Sequence, residues 1–199
     1  VKQYPSISRE PRYGPCYVFP KYDGSNVRVE WTKKRGFDKF GSRKVLIGSD
    51  SHLGDAIALI EQQESALVPI FEKERWERVT CFFEFYGDGS FAGLHVPGEP
   101  KVATLIDVDV YKRGQIDPRD FIALFGGYAH SAPCIGRRFN KESQDAVRAG
   151  AFEGQTFEGV VCKVPSEKKW TPPYMYKWKS EAWIARVKAQ YGEKAEELL

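Results

Sequence analysis

The chain has 199 residues, 42% hydrophobic, 14% aromatic and 29% charged, with a net charge of +3 from 30 basic and 27 acidic side chains. That is material for one domain with its own core, so a single domain over 1–199 is expected, with no separate C-terminal domain. No apolar run has the length needed to cross a bilayer, the start has no apolar leader, and the mild charge, though compatible with a basic groove, does not by itself identify a nucleic-acid binder.

In chain order, residues 1–16, rich in Pro, Ser and Arg, read as a loop or arm. A hairpin is predicted from 17 to 31, because VFP and VRVEW are strand-like and flank an Asp-Gly turn. The segment 33–44, KKRGFDKFGSRK, is basic and turn-rich and leads to the short apolar run VLIG. From 51 to about 68 the spacing turns helical, with Leu53, Ile57, Ile60 and Leu67 on one face and Asp50 or Ser51 able to cap it. VTCFFEFYG at 79–87 reads as a buried strand ended by a Gly-Asp-Gly turn, and VATLIDVDVYK at 102–112 as another. Asp-Pro opens a short helix over 118–125, and a further helix is expected over 141–150. TFEGVVCKV at 156–164 is a strand, WTPPY a crossing, and YMYKWK strand-like. Over 180–199, Trp183, Ile184, Val187, Tyr191, Ala195 and Leu198 recur at helical intervals. The fold class predicted is α+β, largely antiparallel, with helices outside.

Cys16, Cys81, Cys134 and Cys162 form no CxxC pair and His52, His95 and His130 are scattered. Neither a zinc site nor a disulfide framework is expected, and a reducing, cytoplasmic compartment follows as the default.

The residues that carry chemistry begin with KYDGSN at 21–26. Lys21 stands at a strand end, Gly24 lets the backbone pass close to a ligand, and the Asn26 amide can reach the same pocket. A free lysine amine is almost wholly protonated at neutral pH, a handicap of roughly 4 kcal/mol for a nucleophile, so an attacking lysine needs desolvation or neighbouring positive charge. YKWK supplies such charge: Lys177 and Lys179 project from one face of a strand and Trp178 from the other. Glu84 in FFEFYG and Glu158 in FEGVVCK are single acids in strongly apolar strands, which is uncommon unless the charge is paired or binds something. Asp107 and Asp109 form a further acidic pair on one strand face, and Arg43 after Gly41-Ser42 is a candidate oxyanion clamp.

The order KYDGSN, GSRK, FFEFYG, LIDVDVYK, FEGVVCK, YKWK resembles the covalent nucleotidyltransferase superfamily, which comprises polynucleotide ligases and mRNA capping enzymes. The resemblance runs from about 17 to 183. Asn26, where KxDGxR would have arginine, is similar to the branch of ATP-dependent RNA ligases that seal nicked or double-stranded RNA. The resemblance implies a ligase-type adenylation domain with a nucleotide groove between two largely antiparallel sheets flanked by helices. It implies Lys21 as the adenylylated lysine, Lys177 and Lys179 on the α-phosphate, Glu84 on the ribose, and Glu158 and Asn26 serving Mg²⁺ or Mn²⁺. Tyr22, Gly24, Arg43, Ile106 and Val108 complete the implied ATP-binding set. Because Ile106 and Val108 stand where relatives often place an aromatic residue, the base is expected between aliphatic walls.

The implied partners are RNA ends or a nicked duplex, with Arg43, Asn26 and the 33–44 segment facing the strand. A separate protein that supplies a nucleic-acid-binding domain, a monomeric state and no membrane complete the expectation. A DNA ligase or GTP-using capping enzyme shares the lysine chemistry. An inactive relative kept as a nucleic-acid-binding module is the reading from another class.

Overall fold

The computed structural model describes residues 2–90, 95–168 and 171–198. Trp170, in the WTPPY crossing, and Leu199, at the end of the last predicted helix, lie outside the described residues. In chain order the elements are β1 (Gly14–Lys21), β2 (Ser25–Thr32), β3 (Gly36–Gly41), α1 (Gly54–Glu61), α2 (Glu64–Lys73), β4 (Arg78–Tyr86) and β5 (Val102–Val110). There follow β6 (Gly114–Gln115), α3 (Pro118–Phe125), β7 (Gly136–Phe139), α4 (Lys141–Arg148), β8 (Gly159–Val164), β9 (Tyr174–Lys179), α5 (Glu181–Tyr191) and α6 (Ala195–Leu198).

Two antiparallel sheets result, one of order β7-β1-β8-β9 and one of order β3-β2-β4-β5-β6. This corrects the predicted hairpin at 17–31. Strand β1 ends on the pair Lys21↔Gly159 in the first sheet, and β2 starts on Ser25↔Phe85 in the second. The Asp-Gly signal therefore marks a crossing between sheets. Gly24 is needed there because a Cβ would run into the Phe85 carbonyl. The predicted single helix at 51–68 is two, α1 and α2, parted at Gln62 and Gln63; neither Asp50 nor Ser51 is its N-cap residue, which is Leu53. The segment 33–44, expected to be turn-rich, contains strand β3, and the short strands β6 and β7 likewise have no expected counterpart in the sequence. The Asp117 side chain caps α3 as its sequence predicts, accepting from the Arg119 N–H.

Alternation in the four-stranded sheet sorts its residues by face. Cys16, Val18, Val160, Cys162, Tyr176 and Trp178 form an outer core, and the Trp178 indole donates to the Gln144 carbonyl on α4. Phe19, Lys21, Val161, Lys163, Lys177 and Lys179 take the other parity and turn toward the five-stranded sheet. That second sheet buries Val27, Val29, Phe83, Leu105 and Val108 together with Ile57, Ile60, Leu67, Phe71 and Phe121 from α1, α2 and α3. Among the described residues no helix is long and apolar enough to cross a membrane.

One buried ion pair ties the sheets together. Lys163 Nζ lies 2.7 Å from Asp107 Oδ2 and 2.8 Å from the Ile106 carbonyl, with both charged side chains all but sealed from solvent. Asp107 also accepts from the Tyr4 hydroxyl and the Gln115 amide. Removing one partner strands a buried charge, so Asp107→Ala is expected to lower stability by about 3–5 kcal/mol. Replacing both charges, as Asp107→Leu with Lys163→Met, should recover most of that loss. Urea unfolding curves decide the matter, and a single variant as stable as wild type would deny the pair its role.

Candidate active site

Between the two sheets lies a cavity of about 390 Å³. Phe19, Pro20 and Lys21 enter it from β1, Val161 and Lys163 from β8, Lys177 from β9, Asn26 from β2, Glu84 from β4 and Ile106 from β5. Tyr22 and Arg43 complete the sequence-predicted residues on its wall. Tyr22 stacks on Tyr86 with ring centroids 4.9 Å apart. The turn that carries Arg43 is set by Arg28, which donates to the Ser42 carbonyl, and by the Ser42 N–H bonded to the Val45 carbonyl.

Val108 is not among the lining residues. It is fully buried in the core shared with the helices and does not line the cavity. The β4–β5 pairing runs Phe82↔Asp107 and then Phe83↔Leu105, so Ile106 is an extra, bulged residue. The bulge shifts the two-residue alternation and separates Ile106 from Val108, which strict alternation would put on one face. Gly24 is likewise off the cavity wall and acts by letting the strands approach.

The charged groups are tightly linked. Glu158 Oε1 lies 3.0 Å from Lys21 Nζ and 3.1 Å from Lys179 Nζ, so one carboxylate oxygen serves two ammonium groups. Glu158 and Lys179 reach the cavity through Lys21 rather than from its wall. Their positions are fixed where β9 meets α5: Ser180 caps the helix, its N–H donates to the Glu158 carbonyl, and its hydroxyl donates to the Phe157 carbonyl. The Thr156 hydroxyl donates to the Lys21 carbonyl and anchors the end of β1.

Lys21 is not held neutral here, against the expectation. Burial alone would lower its pKa, but Glu158, Glu84 and Asp23 outweigh burial and raise it. The strain falls on its neighbours instead. Burial, then Lys21, brings Lys177 down to about 8; burial also brings Lys179 to about 8, with Lys21 and Lys177 adding to the effect and Glu158 opposing it. Burial pushes Glu84 up to about 7 and Asp23 up to about 6, with Glu158 adding to both. Asn26 faces Glu84 across the β2–β4 pair, and its Oδ1 is buried with no hydrogen-bond partner among the described residues.

Sequence reasoning missed several residues that bear on the site. Lys163, a lone lysine in the apolar strand GVVCKV, carries the same signal that singled out Glu84. Asp23, buried within KYDGSN, was read only as part of a turn. Tyr4, Pro5, Ser6, Ile7 and Arg9 of the N-terminal arm line the cavity, and no local pattern marks them.

The raised acids make a testable demand on stability. Between about pH 4.5 and 7 the folded protein holds a proton on Glu84 that the unfolded chain has released, so this group's contribution to stability falls as pH rises through that window. Glu84→Gln is therefore expected to stabilise the protein by about 1–3 kcal/mol at pH 8 and by little at pH 4.5. Urea unfolding at the two pH values measures this, and an equal effect at both would contradict the assignment.

No protein-family model and no curated protein matches the sequence. Solved structures do. An archaeal ATP-dependent RNA ligase superposes with a TM-score of 0.63 at 20% identity, over 97% of this chain and 54% of that one. A Naegleria gruberi RNA ligase mutant in its apo form gives 0.62 at 14% identity, over 94% and 60%. The chain has the RNA ligase fold. A further Naegleria gruberi RNA ligase mutant, with ATP and Mn, matches at 0.57 and 13% identity, over 91% of this chain and 58% of that one. The RNA ligase fold seen here thus spans about half to three-fifths of the length of the structures it matches. Its two sheets hold the cavity between them, as the resemblance in the sequence implied.

Proposed function

We propose that the chain is the adenylyltransferase domain of an ATP-dependent RNA ligase. The observation that carries this reading is Lys21 on the wall of the intersheet cavity, tied to Lys179 through one Glu158 oxygen, with Lys177 and Arg43 lining the same cavity. Such an array suits attack on a phosphate, because charge develops on the phosphoryl oxygens and catalysis is mostly positioning and neutralisation.

In the proposed reaction, Lys21 Nζ loses one proton to solvent, bonds to the α-phosphorus of ATP, and releases a second proton, so that the nitrogen is neutral in the resulting phosphoramidate. The bond from that phosphorus to the bridging oxygen breaks and pyrophosphate departs. Lys177 and Lys179 offset the charge on the α-phosphate. Glu84 accepts from a ribose hydroxyl, and the base lies against Phe19, Ile106 and Val161. Glu158 and the buried Asn26 Oδ1 are the oxygens suited to Mg²⁺ or Mn²⁺, a cation whose chemistry there is to neutralise phosphate charge. Among the described residues no three acids, thiols or imidazoles cluster into a protein-only cage, which fits an ion held by one or two protein oxygens plus phosphates. Burial lowers the Lys21 pKa and Glu158 is the largest charge that opposes it, so turning Glu158 away would shift Lys21 toward its neutral form, with Glu84 and Asp23 left to oppose burial. AMP then passes to the 5′-phosphate of an RNA end, and a 3′-hydroxyl displaces it to seal the strand.

The test is incubation with ATP labelled at the α-phosphate plus Mg²⁺ or Mn²⁺, followed by a denaturing gel. Covalent label is expected with ATP. Its absence with every nucleoside triphosphate would end the proposal, and label with GTP alone would redirect it to capping-type chemistry.

A further inference from the structure

Six cations stand at or beside the cavity, and the fold treats them in two ways. Lys21 and Lys179 share Glu158, while Lys163 is closed off by Asp107 and the Ile106 carbonyl. Arg9, Arg43 and Lys177 line the same cavity, yet none has an ion-pair or side-chain hydrogen-bond partner among the described residues. Three positive charges are therefore left open on one concave surface, where an oxyanion would be bound strongly.

Arg9 is placed there by backbone pairing. The Ser8 N–H donates to the Met175 carbonyl at 3.0 Å, and the Lys177 N–H donates to the Ser8 carbonyl at 2.9 Å. This makes a parallel bridge between Ser8 and Tyr176. The Tyr174 hydroxyl secures the arm further, 2.9 Å from both the Ser8 hydroxyl and the Glu10 carbonyl. Residues at one level of a parallel pair project to the same side, so Arg9 stands beside Lys177. Like charges so placed repel. Burial first, then Lys21 and Arg9, accordingly lower the pKa of Lys177. Among the described residues neither side chain has a carboxylate at ion-pair distance, so an anion from outside is what makes the arrangement favourable.

We propose that Arg9, held beside Lys177 by the N-terminal arm, is a phosphate clamp for a group other than the phosphate that Lys21 attacks. The group is either the distal pyrophosphoryl part of a nucleoside triphosphate or the 5′-phosphate of an RNA end. This assignment deepens the proposed function and rests on it. A guanidinium suits the task because it engages two phosphate oxygens at once and keeps its charge at any working pH.

The experiment starts with inorganic pyrophosphate, a probe that asks nothing of catalysis, titrated by calorimetry at low salt. Arg9→Ala is expected to weaken its binding about ten- to hundredfold. Arg9→Lys should fall between that and wild type, and Arg186→Ala, an exposed change on α5, should have no effect. ATP and AMP are then compared on protein carrying Lys21→Ala, where no covalent step intervenes. Loss of ATP affinity with AMP affinity intact assigns the clamp to the triphosphate. ATP affinity intact, with lost preference for 5′-phosphate over 5′-hydroxyl RNA, assigns it to the RNA end. Unchanged pyrophosphate binding, or an equal loss for AMP and pyrophosphate, overturns the clamp. Pyrophosphate binding that depends on Arg9 in a wild-type protein that never labels would sink the ligase reading and leave the clamp standing.

Discussion

Lys21→Ala is expected to take up no label from α-labelled ATP, a loss of at least about a thousandfold in the first step. The argument is geometric. Lys21 is the lysine that stands on the cavity wall and is also tied to the Glu158 carboxylate. Lys177 and Lys179 sit next to it, but Lys179 is off the wall and, among the described residues, Lys177 has no carboxylate at ion-pair distance. The variant should remain folded, because Glu158 keeps its 3.1 Å contact with Lys179 and is not left as a lone buried charge. Lys21→Arg separates charge from nucleophilicity: its guanidinium can still pair with Glu158 but offers no free amine, so it too should fail to label. Label on Lys21→Ala comparable to wild type would move the chemistry to another residue and remove the basis of the proposed mechanism.

Replacing Glu158 by Gln should have the second largest effect, and it acts on two observables at once. Glu158 is the shared counter-charge of Lys21 and Lys179 and raises the pKa of both. Without it two ammonium groups crowd a buried site with no anion between them, which should lower stability at pH 7 by about 3–5 kcal/mol. The sign with pH follows from the lysines. Lys179, already at about 8 with Glu158 present, falls further without it. The folded state then binds fewer protons than the unfolded chain from that lowered value up to the ordinary lysine value, and stability recovers as pH rises through this window. Labelling should fall about a hundredfold or more if Glu158 holds the metal, while the residual activity should peak at lower pH because Lys21 loses its proton sooner. Urea unfolding across pH, with labelling at saturating Mn²⁺, measures both. An unchanged pH profile would show that Glu158 does not govern the charge on Lys21.

The positions of most elements were legible because their signals are local. Asp117-Pro118 starts α3, the aromatic and β-branched run makes β4, and the two-residue period of YMYKWK puts Lys177 and Lys179 opposite Trp178. Glu84 and Glu158 stood out because an acid inside an apolar strand needs a reason to be there. The errors in the strands share one cause, which is that pairing partners are distant in sequence. The Asp-Gly turn looks like a hairpin whether its strands pair with each other or, as here, with β8 and β4. The bulge at Ile106 depends on how β5 meets β4, so it cannot be seen in the alternation of β5 alone.

By itself, then, the order of residues determined most of the inventory: the longer strands, the helical segments, and which lysines, acids and amide are available for chemistry. The tertiary structure decided their relations. It split β1 from β2 into facing sheets, brought the N-terminal arm against β9, locked Lys163 to Asp107 and left Arg9, Arg43 and Lys177 open. It also decided that Lys21 rests as a cation. Local preference acts between neighbours along the chain, whereas strand pairing and charge depend on separations in space, which only the folded arrangement sets.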